Sequence, residues 1–247
     1  MQPRSIGIIG HGDFGRFLET LARRFLPDVA VRVHARKATP DGARFFSLEE
    51  TCQSDVVIIS VSIRAFEDML LRVLPLLGAG SILVDVNTVK AHPAELLRRH
   101  GGANAYVATH PMFGPYSFEK QGSNLQGLRL VITDHTLADA ALAGAIAWLR
   151  GLGLNVITMS PQDHDRMLAE TLFLTHYVSQ IVAKGGFVRT DIDTLSFGYL
   201  MDAVESVKGD TELFRDVFAF NPYCADIIRR FEAAEADVHT LLEKKAD

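Results

Sequence analysis

Cysteine is scarce in this chain, basic charge is not gathered anywhere, and no apolar run is long. Each shortage excludes something. The two cysteines, Cys52 and Cys224, stand far apart without metal-type spacing, which argues against a disulfide framework or a thiolate metal centre and suits a reducing cytoplasm. No metal site is expected. Lysine and arginine are scattered, and the net charge is −5 over 247 residues, so there is no basic field to attract nucleic acid. No stretch approaches the roughly 18 consecutive apolar residues of a membrane span. The opening MQPRSIGIIGHG runs into a short strand and a glycine-rich turn, not a signal-type apolar region. Neither export nor membrane insertion is expected, and the expected location is cytoplasmic.

What the chain does have is apolar content, 48%, enough for one large core or two modest ones. Short β-branched runs alternate with longer amphipathic ones as far as about residue 157, the rhythm of a parallel sheet wrapped by helices. Strands are predicted at Ser5 to Ile9, Ala30 to His34, Val56 to Ser60, Ser81 to Asp85, Ala105 to Thr109, Arg129 to Thr133 and Asn155 to Thr158. Helical patterns at Phe14 to Phe25, Ala65 to Leu77, Pro93 to Arg99 and Leu137 to Leu152 supply crossovers. The expected fold is α/β, a Rossmann-type doubly wound parallel sheet over residues 1–158, followed by an all-helical domain over 159–247. In the second part Ser160 and Pro161 open a long helix closed by Gly185 and Gly186, and helices at Asp191 to Val207, Asp210 to Phe220 and Pro222 to Leu242 follow. A helical domain with several apolar faces to bury suggests a homodimer.

The first strand ends in Gly10-His11-Gly12-Asp13-Phe14-Gly15, a full G-x-G-x-x-G set between a strand and a helix. That context is the dinucleotide fingerprint: Gly10 makes the turn, Gly12 admits the pyrophosphate, Gly15 lets helix and strand pack, and the helix N-H groups face the anion. Ser60, at the end of the third strand, joins the cofactor set. At the end of the second strand, His34-Ala35-Arg36-Lys37 contains no carboxylate for a ribose hydroxyl. Arg36, with Lys37 beside it, suits the 2′-phosphate of NADP; NAD stays open, as does a simple solvated loop end.

In an open α/β sheet the ligand crevice lies beyond the carboxyl ends of the strands. Two segments stand there, Asp85 to Lys90 and Thr109 to Pro115. His110 is the imidazole at such a strand end, suited to take a proton from an alcohol as hydride leaves the same carbon. Thr88 can hydrogen-bond His110 or a substrate hydroxyl, and Lys90 can meet a substrate carboxylate or simply sit in solvent at a helix start.

The segments THPMFGP, DVNTVK, MSPQDHD, FLTHYVSQ and VFAFNPYCADIIRRFE together resemble the prephenate/arogenate dehydrogenase family, in particular its short plant-type branch, and the similarity runs over nearly the whole chain. The resemblance implies oxidative decarboxylation of arogenate or prephenate, with hydride passing to a nicotinamide and His110 as the base at the hydroxyl. It implies that Thr88 replaces the family's usual Ser and keeps its hydroxyl, and that His176 contacts substrate. Asp210 matches a position at which arogenate-using members carry an acidic residue. A carboxylate there favours the ammonium of arogenate over the keto group of prephenate, although a helix N-cap is the plainer role for Asp210.

Two departures stand out. Tyr116 replaces a glutamate common in relatives, which puts acidic gating in doubt and keeps an amino-substituted substrate analogue in view. Glu205 falls where some prephenate-specific members carry Arg. Two other readings stay open: a β-hydroxyacid or imine reductase with Lys184 as catalytic lysine, and a non-catalytic nucleotide sensor, since fold alone does not prove function.

Overall fold

The computed structural model describes residues 2–243. The chain divides into two compact units, 1–164 and 165–247, the division falling between His164 and Asp165. In chain order the first unit contains β1 (Ser5–Ile9), α1 (Asp13–Phe25), β2 (Ala30–His34), α2 (Leu48–Cys52), β3 (Val56–Ile59), α3 (Phe66–Val73), β4 (Ile82–Asp85), α4 (Ala91–His100), β5 (Ala105–Pro111), α5 (Pro115–Lys120), β6 (Arg129–His135), α6 (Asp139–Gly151) and β7 (Asn155–Thr158). Helix α7 (Pro161–Leu168) carries the chain onward. The strands form one sheet in the order β2-β1-β3-β4-β5-β6-β7. From β1 the chain moves to one neighbour and returns past it to the other, so a topological switch point lies between β1 and β3.

The sheet is Rossmann-type and mostly parallel, with a change of direction at β5: β6 pairs with it antiparallel, and β7 is parallel to β6. The connection between β5 and β6 contains only the short helix α5, six residues and about 9 Å long. Neither α5 nor α2 is foreseen from the sequence, because each is too short for periodicity to register; α2 is held by a capping box between Ser47 and Glu50. Within the expected helix Ala65 to Leu77, Pro75 ends the α-helical part and the last turn tightens to 3-10. Successive residues of each strand feed opposite faces: Ile9, Val57, Ile59 and Leu83 pack on Phe66, Leu70 and Leu97, while Ile6, Ile8, Val31 and Val33 pack on Ala22 and Leu26.

In the second unit a π-helical stretch, Ala169–Phe173, leads into α8 (Leu174–Lys184), followed by α9 (Leu195–Val207), α10 (Thr211–Phe220) and α11 (Cys224–Glu243). Helix α9 starts later than expected because Thr194 caps it, accepting from the Phe197 amide at 3.2 Å, and Asp193 is used earlier, accepting from the Thr190 amide. The core is aromatic: Phe173 stacks on Phe214 at 5.3 Å and on Phe218 at 5.9 Å between centroids. Burial pushes the Cys52 thiol up to about 11 and the Cys224 thiol up to about 12, so both are protonated packing groups and not nucleophiles. Among the described residues no helix is long and apolar enough to cross a membrane.

Candidate active site

The glycine turn sits at the switch point between β1 and β3. Gly10 has φ 105°, and a Cβ there would come within 2.2 Å of the Ser60 carbonyl oxygen. A Cβ on Gly15 would lie 2.1 Å from the Gly10 carbonyl. Around Gly12 there is open space, and this residue caps α1 without using a side chain. The turn therefore presents uncapped N-H groups at a helix N-terminus, including those of Asp13 and Phe14, to an open surface, a cradle that fits a pyrophosphate. Ser60 contributes backbone support, donating from its amide to the Ile9 carbonyl at 2.7 Å.

Beside this turn lies a cluster the sequence reading missed. Glu19, 4% exposed, accepts from Arg44 through Nε at 2.9 Å and Nη2 at 2.8 Å, from Arg23 at 3.0 Å, and lies 2.9 Å from His11 Nε2. Burial alone would raise its pKa, but the hydrogen bonds of Arg44, His11 and Arg23 outweigh it and hold the carboxyl at about 2. A signal was present: Gly15, Glu19 and Ala22 all lie on the buried face of α1, so a carboxylate there had to be paired. Arg36 and Lys37 are exposed beyond β2.

At the ends of β4 and β5 the structure corrects one expectation. Lys90 has no exposure; its ammonium forms an ion pair with Asp85 and donates to the Thr109 carbonyl. It is a buried strut, not a receptor for a substrate carboxylate. Asp85 also accepts from the amide and side chain of Asn87 at 2.8 and 2.7 Å, and Thr109 Oγ1 donates to the Asp85 carbonyl at 2.8 Å. These bonds tie the ends of the two strands together. A register shift between Ala108 and Thr109 bends β5 just before His110, as bulges beside functional sites do.

His110 is buried, and its Nδ1 lies 2.9 Å from Nε2 of His164 in α7. Its pKa is held well below the ordinary imidazole value, first by burial and then by the neighbouring His164 and Lys90. Thr88, half-buried, is not the partner of His110 Nδ1; His164 takes that place. Tyr116 lies in α5, exposed, with the Lys120 ammonium 5.6 Å from its ring centre.

In the helical unit, His176 is 4% exposed and stacks on Phe214 at 6.1 Å. Its Nδ1 is buried without a hydrogen-bond partner. Burial lowers its pKa, and the Asp210 carboxylate opposes that shift. Asp210 occupies the N-cap position of α10 yet makes no capping bond with its side chain. Glu205 is met by a guanidinium that the sequence did not indicate: Arg189 donates to it at 3.0 Å and to Asp202 at 2.7 Å. Lys184 is exposed in the last turn of α8.

An open glycine turn under a helix N-terminus, at the switch point of a Rossmann-type sheet, defines a nucleotide-binding domain of the dehydrogenase kind. Comparison with known proteins narrows the class: residues 31–158 match the family described as prephenate dehydrogenase, nucleotide-binding domain. The chain is 31% identical to arogenate dehydrogenase 2, chloroplastic, of Arabidopsis thaliana, over 93% of its own length and 67% of that protein. It is 30% identical to arogenate dehydrogenase 1, chloroplastic, of the same plant, over 94% of its length but only 38% of that protein. It belongs to the prephenate/arogenate dehydrogenase family. In fold it is similar to the prephenate dehydrogenase from A. aeolicus solved with hydroxyphenyl propionate and NAD+, with TM-score 0.74 and 20% identity covering 98% of this chain and 91% of that one. The Synechocystis arogenate dehydrogenase gives TM-score 0.69 and 21% identity over 96% and 91% of the two chains.

Proposed function

We propose that the protein is an arogenate dehydrogenase, converting arogenate to tyrosine by oxidative decarboxylation with NADP as oxidant. The observation that carries the substrate choice is Asp210. It stands where a capping aspartate would stand, leaves the capping bond unmade, and acts electrostatically on His176, whose buried Nδ1 lacks a partner. A carboxylate available in this way suits an ammonium-bearing substrate. The names of the two Arabidopsis relatives point the same way.

In this reading His110 is the base. Burial keeps it neutral, so Nε2 can take the hydroxyl proton, and Thr88 orients the hydroxyl. Bound on the glycine turn, NADP would accept the hydride from the ring carbon that bears the hydroxyl. Loss of carbon dioxide then leaves an aromatic ring. The preference for NADP rests on the absence of a carboxylate at the end of β2, on the exposed Arg36 and Lys37, and on Arg44 and Arg23 neutralising Glu19. A homodimer formed through the helical half belongs to the same reading: Ile192, Leu195 and Tyr199 expose apolar side chains, and sedimentation velocity would test it.

The decisive assay is the initial rate of NADPH and NADH formation with arogenate and with prephenate, alongside a His110→Ala control. The expected result is faster turnover of arogenate with NADP, abolished in the control. Asp210→Asn should lower the ratio of arogenate to prephenate efficiency about 10-fold, the worth of one charge-assisted hydrogen bond. Prephenate turnover alone discards the Asp210 argument, and no turnover of either substrate returns the chain to a non-catalytic reading.

A further inference from the structure

His164 has no part in the proposed reaction, yet it is the side chain that meets His110. Both imidazoles are buried, at 5% and 3% exposure, with rings 5.1 Å apart between centroids and inclined by 72°. The contact is a hydrogen bond between His110 Nδ1 and His164 Nε2 at 2.9 Å. When both rings are neutral, one of the facing nitrogens must carry the hydrogen and the other the lone pair. There are two ways to arrange this, with opposite consequences for His110 Nε2.

The position of His164 is itself firmly set. Asp163 donates from its amide to Ser160 Oγ at 3.1 Å, Ser160 Oγ donates to the Asp163 carboxylate at 2.7 Å, and the His164 amide closes the first turn onto the Ser160 carbonyl at 3.0 Å. The capped turn of α7 thus aims the ring. On the other ring, Nε2 of His110 is not among the buried atoms that lack a partner, which in the described residues are Ser54 Oγ and His176 Nδ1. With Nδ1 engaged by His164, Nε2 is the nitrogen left for a reactant.

We infer that His164 is a positioning residue that selects the tautomer of His110, accepting a hydrogen bond from His110 Nδ1-H so that Nε2 holds the lone pair. The inference rests on His110 being the base of the proposed reaction. The opposite arrangement would place the hydrogen on Nε2 and leave it no lone pair to take a proton. Protonating His164 has the same effect, since its Nε2-H would then donate to His110 Nδ1. The other charge acting on His110 is the Lys90 ammonium, itself paired with Asp85.

Two measurements test this. In the full-length protein, ¹⁵N NMR of labelled histidine at neutral pH should show His110 protonated at Nδ1; protonation at Nε2 overturns the inference whatever the variants do. In kinetics, His164→Ala should lower kcat roughly 10- to 100-fold, as removal of an orienting partner does, with little change in the KM of the dinucleotide. His164→Gln, whose amide oxygen can accept the same hydrogen bond, should restore most of that loss. Wild-type kcat in His164→Ala, or a His164→Gln variant no better than His164→Ala, overturns the positioning role. A fully active His110→Ala variant would instead remove the base reading beneath it.

Discussion

Lys90 and Asp85 form an ion pair from which solvent is wholly excluded. Removing one partner leaves a buried charge without its counterion, whereas removing both leaves only a polar gap. Lys90→Met should therefore cost about 3–5 kcal/mol of stability, and adding Asp85→Asn should recover part of it. Urea unfolding of the two variants checks this. A rise in substrate KM with an unchanged unfolding midpoint would give Lys90 back its role as a carboxylate receptor.

Glu19 predicts a dependence on pH. Its folded pKa of about 2 lies below the unfolded value of 4.5, so its contribution is complete above pH 4.5 and is lost as pH falls towards 2. The size is on the order of 3 kcal/mol. Measured by denaturant midpoint, the stability gap between wild type and Glu19→Gln should be flat from neutral pH to about 5 and narrow below it. A gap independent of pH down to the acid transition would mean that the charge of Glu19 contributes nothing.

His110 should leave its mark on the rate profile of the free enzyme. Its pKa is lowered, chiefly by burial and then by His164 and Lys90, so its neutral form persists below pH 6.5, and in the proposed role of base it should sustain activity until the medium becomes more acid than that. The measurement is kcat/KM against pH. An acid limb at or above the ordinary imidazole value would contradict the geometry around His110.

Cofactor choice can be read without turnover. Replacing Arg36 and Lys37 together by Ala should weaken NADPH binding roughly 10- to 100-fold, the worth of one or two charge-assisted hydrogen bonds, and leave NADH nearly unchanged. Fluorescence titration gives both constants. Equal losses for the two dinucleotides would reduce Arg36 and Lys37 to general surface charge.

How much of this was legible in the sequence depended on how local each cause is. The G-x-G-x-x-G turn and the strand before it could be read because their spacing is itself the geometry: Gly10 and Gly15 meet within one turn. Ser160 as the start of a helix was equally plain. The direction of β6 was not, since an antiparallel neighbour leaves the same local pattern of residues as a parallel one. Lys90 shows a different limit. Its neighbours in sequence suggest a helix start in solvent, and only the folded ends of β4 and β5 show where its ammonium lies. His164 lies in the segment MSPQDHD, but its importance depends on a partner 54 residues away.

The π-helical stretch Ala169–Phe173 sets the phase of everything that follows it in the same helix. A π turn holds one residue more than an α turn, so a helical wheel drawn straight through the segment misplaces α8 by about 100°. His176 owes its buried orientation against Phe214 to that extra residue as much as to its own identity. Deleting a single residue between Ala169 and Phe173 would thus amount to removing the His176 imidazole from its place against Phe214 while leaving the histidine in the sequence: chain length at this point decides where that ring lies, and no comparison of residue types alone can detect it.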